Sequence, residues 1–146
     1  ILGLPGSGKS SLAQKISDYW NLVHLESDAI LQNSGTESYL SQVSQLIQQR
    51  RWVFEGHFQR CGSLVLPQAE AIVWVDPPAP VIIWRCAARE ISRQSRWYQG
   101  LQSQSTFRYL LSNWYRLSEI QRNAMSEARV PVFSSKQITD LLNNHS

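Results

Sequence analysis

Apolar residues fall into short blocks that follow two alternating periods. Ile1-Leu2-Gly3 runs into a glycine-rich turn and reads as the end of a clipped first strand. Leu12, Ala13, Ile16 and Trp20 then recur on one helical face and predict a helix over Lys9–Trp20. Leu22–Leu25 reads as a strand. Leu40, Val43, Leu46 and Ile47 predict a helix over Ser38–Arg50, and Trp52-Val53-Phe54 follows as a buried strand. The alternation continues with a strand at Ala71–Val75, a helix at Pro80–Arg93 with proline near its start, and a long helix at Phe107–Ala128. A strand at Val130–Phe133 and a helix at Gln137–Asn143 close the series.

Short apolar strands separated by helices are the signature of βαβ units around a parallel sheet covered on both faces, so the expected class is α/β. Ser92–Thr106 breaks the rhythm. It is polar, rich in Gln and Ser, and reads either as a lid or as a surface loop without a role. No internal repeat or linker divides the chain, and residues 1–146 are expected to form one domain.

Composition narrows the classes. A chain of 146 residues with 42% hydrophobic and 17% charged positions suits one globular domain rather than a disordered segment. The longest apolar runs, Ala71–Val75 and Ala79–Trp84, fall far short of the ~20 residues that cross a bilayer. No secretory leader pattern opens the sequence. Cys61 and Cys86 form no CxxC pair, which points away from zinc and redox motifs and toward reduced thiols in a cytoplasmic protein.

Charge is unevenly spread. Residues 1–70 carry a net −1 and residues 71–146 a net +4, and eight of the nine cations in the second half are arginine. Arginine offers a planar fork suited to phosphate oxygens, although a solvated basic face would read the same way.

One motif sets the chemistry. Gly3-Leu-Pro-Gly-Ser-Gly-Lys-Ser10 fits G-x-x-x-x-G-K-S/T at every fixed position, directly after an apolar strand and before an amphipathic helix. Glycines allow the backbone to curl so that successive N–H groups face one centre, and the following helix adds the positive end of its dipole. The expected ligand is ATP with Mg²⁺. The nucleotide contacts would come from Gly3, Pro5, Gly6, Ser7, Gly8, Lys9, Ser10 and Ser11. Lys9 would reach the β- and γ-phosphates and the Ser10 hydroxyl would ligate the metal.

With this motif at the start of a short chain and arginines in the second half, the sequence resembles the nucleoside-monophosphate-kinase branch of P-loop proteins. Leu22-Val-His-Leu-Glu-Ser-Asp28 is similar to the second-strand motif of shikimate- and adenylate-kinase-like families. Arg51-Trp-Val-Phe-Glu55-Gly-His-Phe-Gln-Arg60 resembles the W-(I/V)-x-D-G-N-Y-x-x-R segment of the small adenylate-kinase-related proteins labelled DNA topology modulation or FlaR-like. Ala71-Ile-Val-Trp-Val-Asp-Pro-Pro and Trp84-Arg-Cys-Ala-Ala-Arg89 resemble a further segment of that group, and Val132–Leu142 resembles its C-terminal strand and helix. Glu55 stands where the group has Asp, and His57 where it has Asn, which leaves the acceptor open. The resemblance implies a three-layer α/β/α P-loop fold with a five-stranded parallel sheet, a truncated first strand and a mobile lid at 92–106.

Other candidates are weighed beside that motif. Asp28, just past the second strand, could accept a proton from a substrate hydroxyl or hold a metal-bound water, or else cap the next helix. Glu26 competes for the same task. Glu55 could face Mg²⁺, or else cap a helix or pair with Arg60, and Arg60 could grip the acceptor. Arg85, Arg89 and Arg93 are four residues apart on one helix face, with Arg89 and Arg93 as the candidates for neutralising transferred phosphoryl charge and Arg85 as either a phosphate ligand or a packed stem. Trp52, Trp74 and Trp84 read as core, and Trp97 with Tyr98 as a stacking pair.

The expected function is therefore a Mg²⁺-dependent phosphotransferase acting on ATP and a small-molecule acceptor. Lys9, Asp28, Arg89 and Arg93 would be catalytic, and Asp28, Glu55 and Arg60 would bind the acceptor. Ser10 and Glu55 would hold the metal. The alternative is a nucleotide-dependent regulator or nucleic-acid-associated protein with little transferase activity. A net charge of +3 is small beside the dense basic stripes of nucleic-acid binders.

Overall fold

A computed structural model describes residues 1–49, 51–56, 58–94, 119, 122, 123, 125, 126 and 129–144, without the side chains of residues 58, 59 and 90–94. Among the described residues the elements with defined bounds follow in the order β1 (Leu2–Gly3), α1 (Lys9–Trp20), β2 (Val23–Glu26), α2 (Ser27–Leu46), β3 (Trp52–Glu55), α3 (Phe58–Val65), β4 (Ile72–Val75), α4 (Ala79–Gln94), β5 (Val132–Ser134) and α5 (Ser135–Asn144). A short 3-10 turn, Leu66–Gln68, follows α3. Every strand pairing is parallel.

The alternation of side chains along β3 explains why helices cover both faces. Val53 joins a cluster with Leu12, Ala13 and Ile16 of α1 and Ile138 and Leu142 of α5. Phe54, one residue on, points the other way into a cluster with Ile30, Tyr39 and Val43 of α2 and Cys61 and Val65 of α3. Burial on both sides makes Trp52-Val53-Phe54 of β3 continuously apolar, which is the pattern read from the sequence.

The strands do not form one five-membered ladder. They pair as a three-stranded sheet, β1-β4-β5, and a two-stranded sheet, β2-β3. β1 is two residues long and ladders with β4 alone, Leu2 opposite Trp74 and Gly3 opposite Val75. Its link to β3 is the nitrogen of Ile1, which donates to the Phe54 carbonyl at 2.6 Å. Beyond that bond β3 and β4 part around a cavity of about 700 Å³ lined by Trp20, Leu22, Trp52, Val53, Ile72 and Val73 among others.

Two elements differ from expectation. Residues 27–37 were not expected to be helical, yet α2 begins at Ser27 and runs through a break at Gly35, whose φ of 70° and ψ of 172° are not helical. Polar Gln32, Asn33 and Ser34 hide the first half from a periodicity search, and Ser34 Oγ donates to the Ile30 carbonyl at its end. α3 was not anticipated at all. It is only eight residues long, and Cys61 and Val65 form its buried edge. Of the helix expected over 107–128, residues 119, 122, 123, 125 and 126 are described and are helical. Among the described residues no helix is long and apolar enough to cross a membrane.

Candidate functional site

The glycine-rich segment leaves β1 at its C-terminal end and curls into α1. Gly6 and Gly8 take φ of 82° and 100°, a left-handed region that side-chain-bearing residues rarely enter. Ser7 N–H donates to the Leu4 carbonyl at 3.0 Å and closes the turn. Gly8 is the N-cap of α1, and its carbonyl accepts the Leu12 amide at 3.1 Å. The amides of Gly8, Lys9, Ser10 and Ser11 precede the first intrahelical bonds and have no acceptor within the helix. Among the described residues no side chain caps them, and no acidic residue sits in the first turn of α1.

Packing around the loop shows which neighbours shape it. A Cβ on Gly6 would stand 2.6 Å from Cys86 Sγ, and one on Gly8 would stand 3.2 Å from Arg85 Nη1. Cys86 Sγ also donates to the Pro5 carbonyl at 3.5 Å, so Pro5 serves as a wall held from α4. Arg85 Nη1 donates to the Ser7 carbonyl at 3.0 Å, a contact that ties α4 to the loop backbone. The Ser7 hydroxyl is buried without a partner and turns toward Gly3, 2.7 Å from where a Cβ there would lie. Ser7 thus spends its amide and its carbonyl within the loop scaffold.

Lys9 is the centre of the charged groups. Its Nζ donates to the Leu4 carbonyl at 3.0 Å, folded back across the loop. Burial lowers its pKa, Glu55 and Asp28 raise it, and Arg89 lowers it again, so these three groups all lie within electrostatic reach of the ammonium. Glu55 is buried at the end of β3, whereas its registered neighbour Glu26 is exposed. Asp28 is exposed as well, but it and not Glu26 is among the charges that act on Lys9. Asp28 lies in the first turn of α2 and the N-cap is Glu26, so Asp28 is not the cap that one sequence reading made it.

Not every expected residue reaches this place. Arg60 is exposed on α3, and among the described residues it forms no ion pair with Glu55. Arg93 continues α4, but its side chain lies outside the described residues, as do Arg96, the Trp97–Tyr98 pair and His57. Of the lid expected at 92–106, residues 92–94 are the last turn of α4 and 95–106 lie outside the described residues. Trp84 is 71% exposed rather than core, since it projects from the side of α4 opposite Ile82 and Cys86, the residues packed under the loop. Trp52 is half-buried and donates its indole N–H to the Ile47 carbonyl at 2.9 Å. Both cysteines are buried and neither is in a disulfide. Sequence reasoning missed the contact of Cys86 with Gly6, for which the only local signal is the spacing of Ile82 and Cys86 on one face of α4.

The donor set is suited to a polyphosphate and a hard cation. The glycines leave a cradle, the cations are Lys9, Arg85 and Arg89, and the nearby metal-competent groups are oxygens from Ser10, Asp28 and Glu55. Among the described residues no cluster of three or more His, Cys, Asp or Glu side chains gathers. Magnesium at nucleotide sites needs no such cluster, because phosphates and water complete its shell. No protein-family model matches the chain, and no curated protein matches its sequence.

Proposed function

We propose that the protein binds Mg·ATP at the Gly3–Ser11 segment and transfers the terminal phosphoryl group to a small-molecule acceptor in the cytoplasm, as its resemblance to nucleoside-monophosphate-kinase relatives implies. The observation that carries this reading is the uncapped N-terminus of α1 opening on a left-handed glycine turn with Lys9 folded across it. In this reading the two sheets are halves of one parallel P-loop sheet in the order β2-β3-β1-β4-β5, and the Ile1–Phe54 bond is the seam.

Each residue then has a defined task. Lys9 gives up the Leu4 carbonyl for phosphate oxygens, exchanging a neutral acceptor for an anionic one. Because the ammonium is already largely stripped of water, little desolvation is added when the ligand arrives. Glu55 and Asp28 oppose the effect of burial and keep Lys9 charged. Arg85 steadies the Ser7 carbonyl and holds positive charge at the loop, and Arg89 adds a second cation beside Lys9. Magnesium, when bound, neutralises phosphate charge and aligns the phosphoryl group for in-line transfer. Ser10 would offer it a hydroxyl, Glu55 would hold it through water, and Asp28 would accept the proton of the attacking hydroxyl.

The test is a calorimetric titration of ATP against the parent and Lys9→Ala. Loss of a charged hydrogen bond should weaken binding by about 1.5–3 kcal/mol with the fold unchanged. Equal affinity would overturn the reading. Acceptor-stimulated ADP formation across a panel of nucleotides and metabolites then separates transfer from simple hydrolysis.

A further inference from the structure

The two carboxylates that flank Lys9 belong to segments that touch one residue away from them. Asp28 follows Ser27 and Glu55 precedes Gly56, and a Cβ on Gly56 would stand 2.5 Å from the Ser27 Cβ. Any side chain at position 56 would therefore wedge the start of α2 away from the end of β3. Parallel pairing that puts Glu26 opposite Glu55 delivers both chains to this contact in register.

Ser27 is held from beneath. Its hydroxyl lies 2.7 Å from the hydroxyl of Tyr39, and Tyr39 in turn donates to Cys61 Sγ at 3.2 Å. A phenol has one hydrogen to give, so Tyr39 accepts from Ser27 while donating to Cys61. Ser27 and Tyr39 are 2% exposed and Cys61 is not exposed at all. Tyr39 lies beyond the Gly35 break, so this chain of polar atoms links both halves of α2 to α3 and to the Ser27–Gly56 contact. Burial pushes the Tyr39 phenol up to about 12, which keeps it a neutral donor.

The surrounding cluster is otherwise apolar, with Leu25, Ile30, Val43, Phe54 and Val65 around the same groups. Polar atoms in such a setting cost more than apolar ones of the same volume, and none of them touches the loop. Their placement matches a positioning task, since the chain of polar atoms ends at the corner between Asp28 and Glu55.

We propose that Tyr39 is a positioning residue for these carboxylates: through Ser27 it holds Asp28 and Glu55 at the spacing around Lys9 that the magnesium–nucleotide complex requires. This rests on the Mg·ATP reading above. Tyr39 has no effect on how the loop grips phosphate and acts on the metal-dependent part of binding.

Calorimetric titration of ATP in EDTA and then across a Mg²⁺ series tests this in the whole chain. Tyr39→Phe should bind metal-free ATP within about twofold of the parent, because the loop and Lys9 are intact, while the Mg²⁺ concentration giving half of the affinity gain rises about three- to tenfold, the worth of one hydrogen bond. Ser27→Ala cuts the same link from its other end and should give the same shift, with the double variant moving no further than either alone. Ser27→Ala carries the test if circular dichroism shows Tyr39→Phe unfolded. A parent protein that fails to bind ATP, or binds it without regard to Mg²⁺, overturns the Mg·ATP reading and this proposal together. A parent whose Mg²⁺ response is lost in Glu55→Gln, beside Tyr39→Phe and Ser27→Ala variants with the parental response, overturns the proposal alone.

Discussion

Cys86 of α4 lies directly under Gly6 of the loop, with its sulfur 2.6 Å from the position that a Cβ on residue 6 would occupy. A helix nearly eighty residues downstream therefore limits what the loop can carry. Gly6→Ala meets the sulfur first, and beside it the Ile82 carbonyl at 3.1 Å and the left-handed φ of 82°, which costs a side-chain-bearing residue ~1–2 kcal/mol. ATP affinity should fall at least ~10-fold by titration calorimetry. Cys86→Ala added to Gly6→Ala removes the sulfur and leaves the other two obstacles, so the double variant should recover part of the loss. Full recovery would show that backbone conformation has no share in it.

Arg85 is bonded to the Ser7 carbonyl at 3.0 Å yet is exposed to solvent. Arg85→Ala should weaken ATP binding about three- to tenfold through a looser loop and a lost cation. Because the guanidinium is solvated, the difference between parent and variant should shrink as salt is raised from 0.05 to about 0.5 M. A difference that does not change with salt would assign the effect to loop geometry alone.

Lys9 supplies a pH signature. Burial holds its ammonium below the ordinary 10.5, and Glu55 and Asp28 only partly offset this. Between the lowered value and 10.5 the unfolded chain binds more protons, so stability rises as pH increases through that window. A bound polyphosphate favours the charged form and restores the proton. ATP binding in the alkaline range should thus be coupled to proton uptake, seen as a dependence of the apparent binding heat on the ionisation heat of the buffer. Lys9→Met should abolish the coupling.

Phe54 anchors the face of β3 that carries α2 and α3, and it is 2% exposed. Phe54→Ala should lower unfolding free energy by about 3–5 kcal/mol in urea melts, the transfer term plus the cavity it leaves. A loss below about 1 kcal/mol would mean that the cluster closes around the gap.

Much of the layout was legible in the chain because it depends on local spacing. The helix over Lys9–Trp20 ends where periodicity ends, β2 to β5 lie within two residues of the apolar blocks that predicted them, and the extent of α4 was foreseen to within a residue at each end. The motif at Gly3–Ser10 was visible for the same reason: a turn that requires glycine and a helix start are local properties. What lay outside reach depends on neighbours distant in sequence. Gly35 breaks a helix whose polar first half shows no face, and α3 is too short for its buried edge to register as a period. Which of Glu26 and Glu55 turns inward, and that Arg85 rather than Trp84 faces the loop, follow from how parallel strands and α4 pack around β1. The sheet pairing itself was decided there too, since hydrogen bonds between strands depend on the tertiary path that brings them alongside each other.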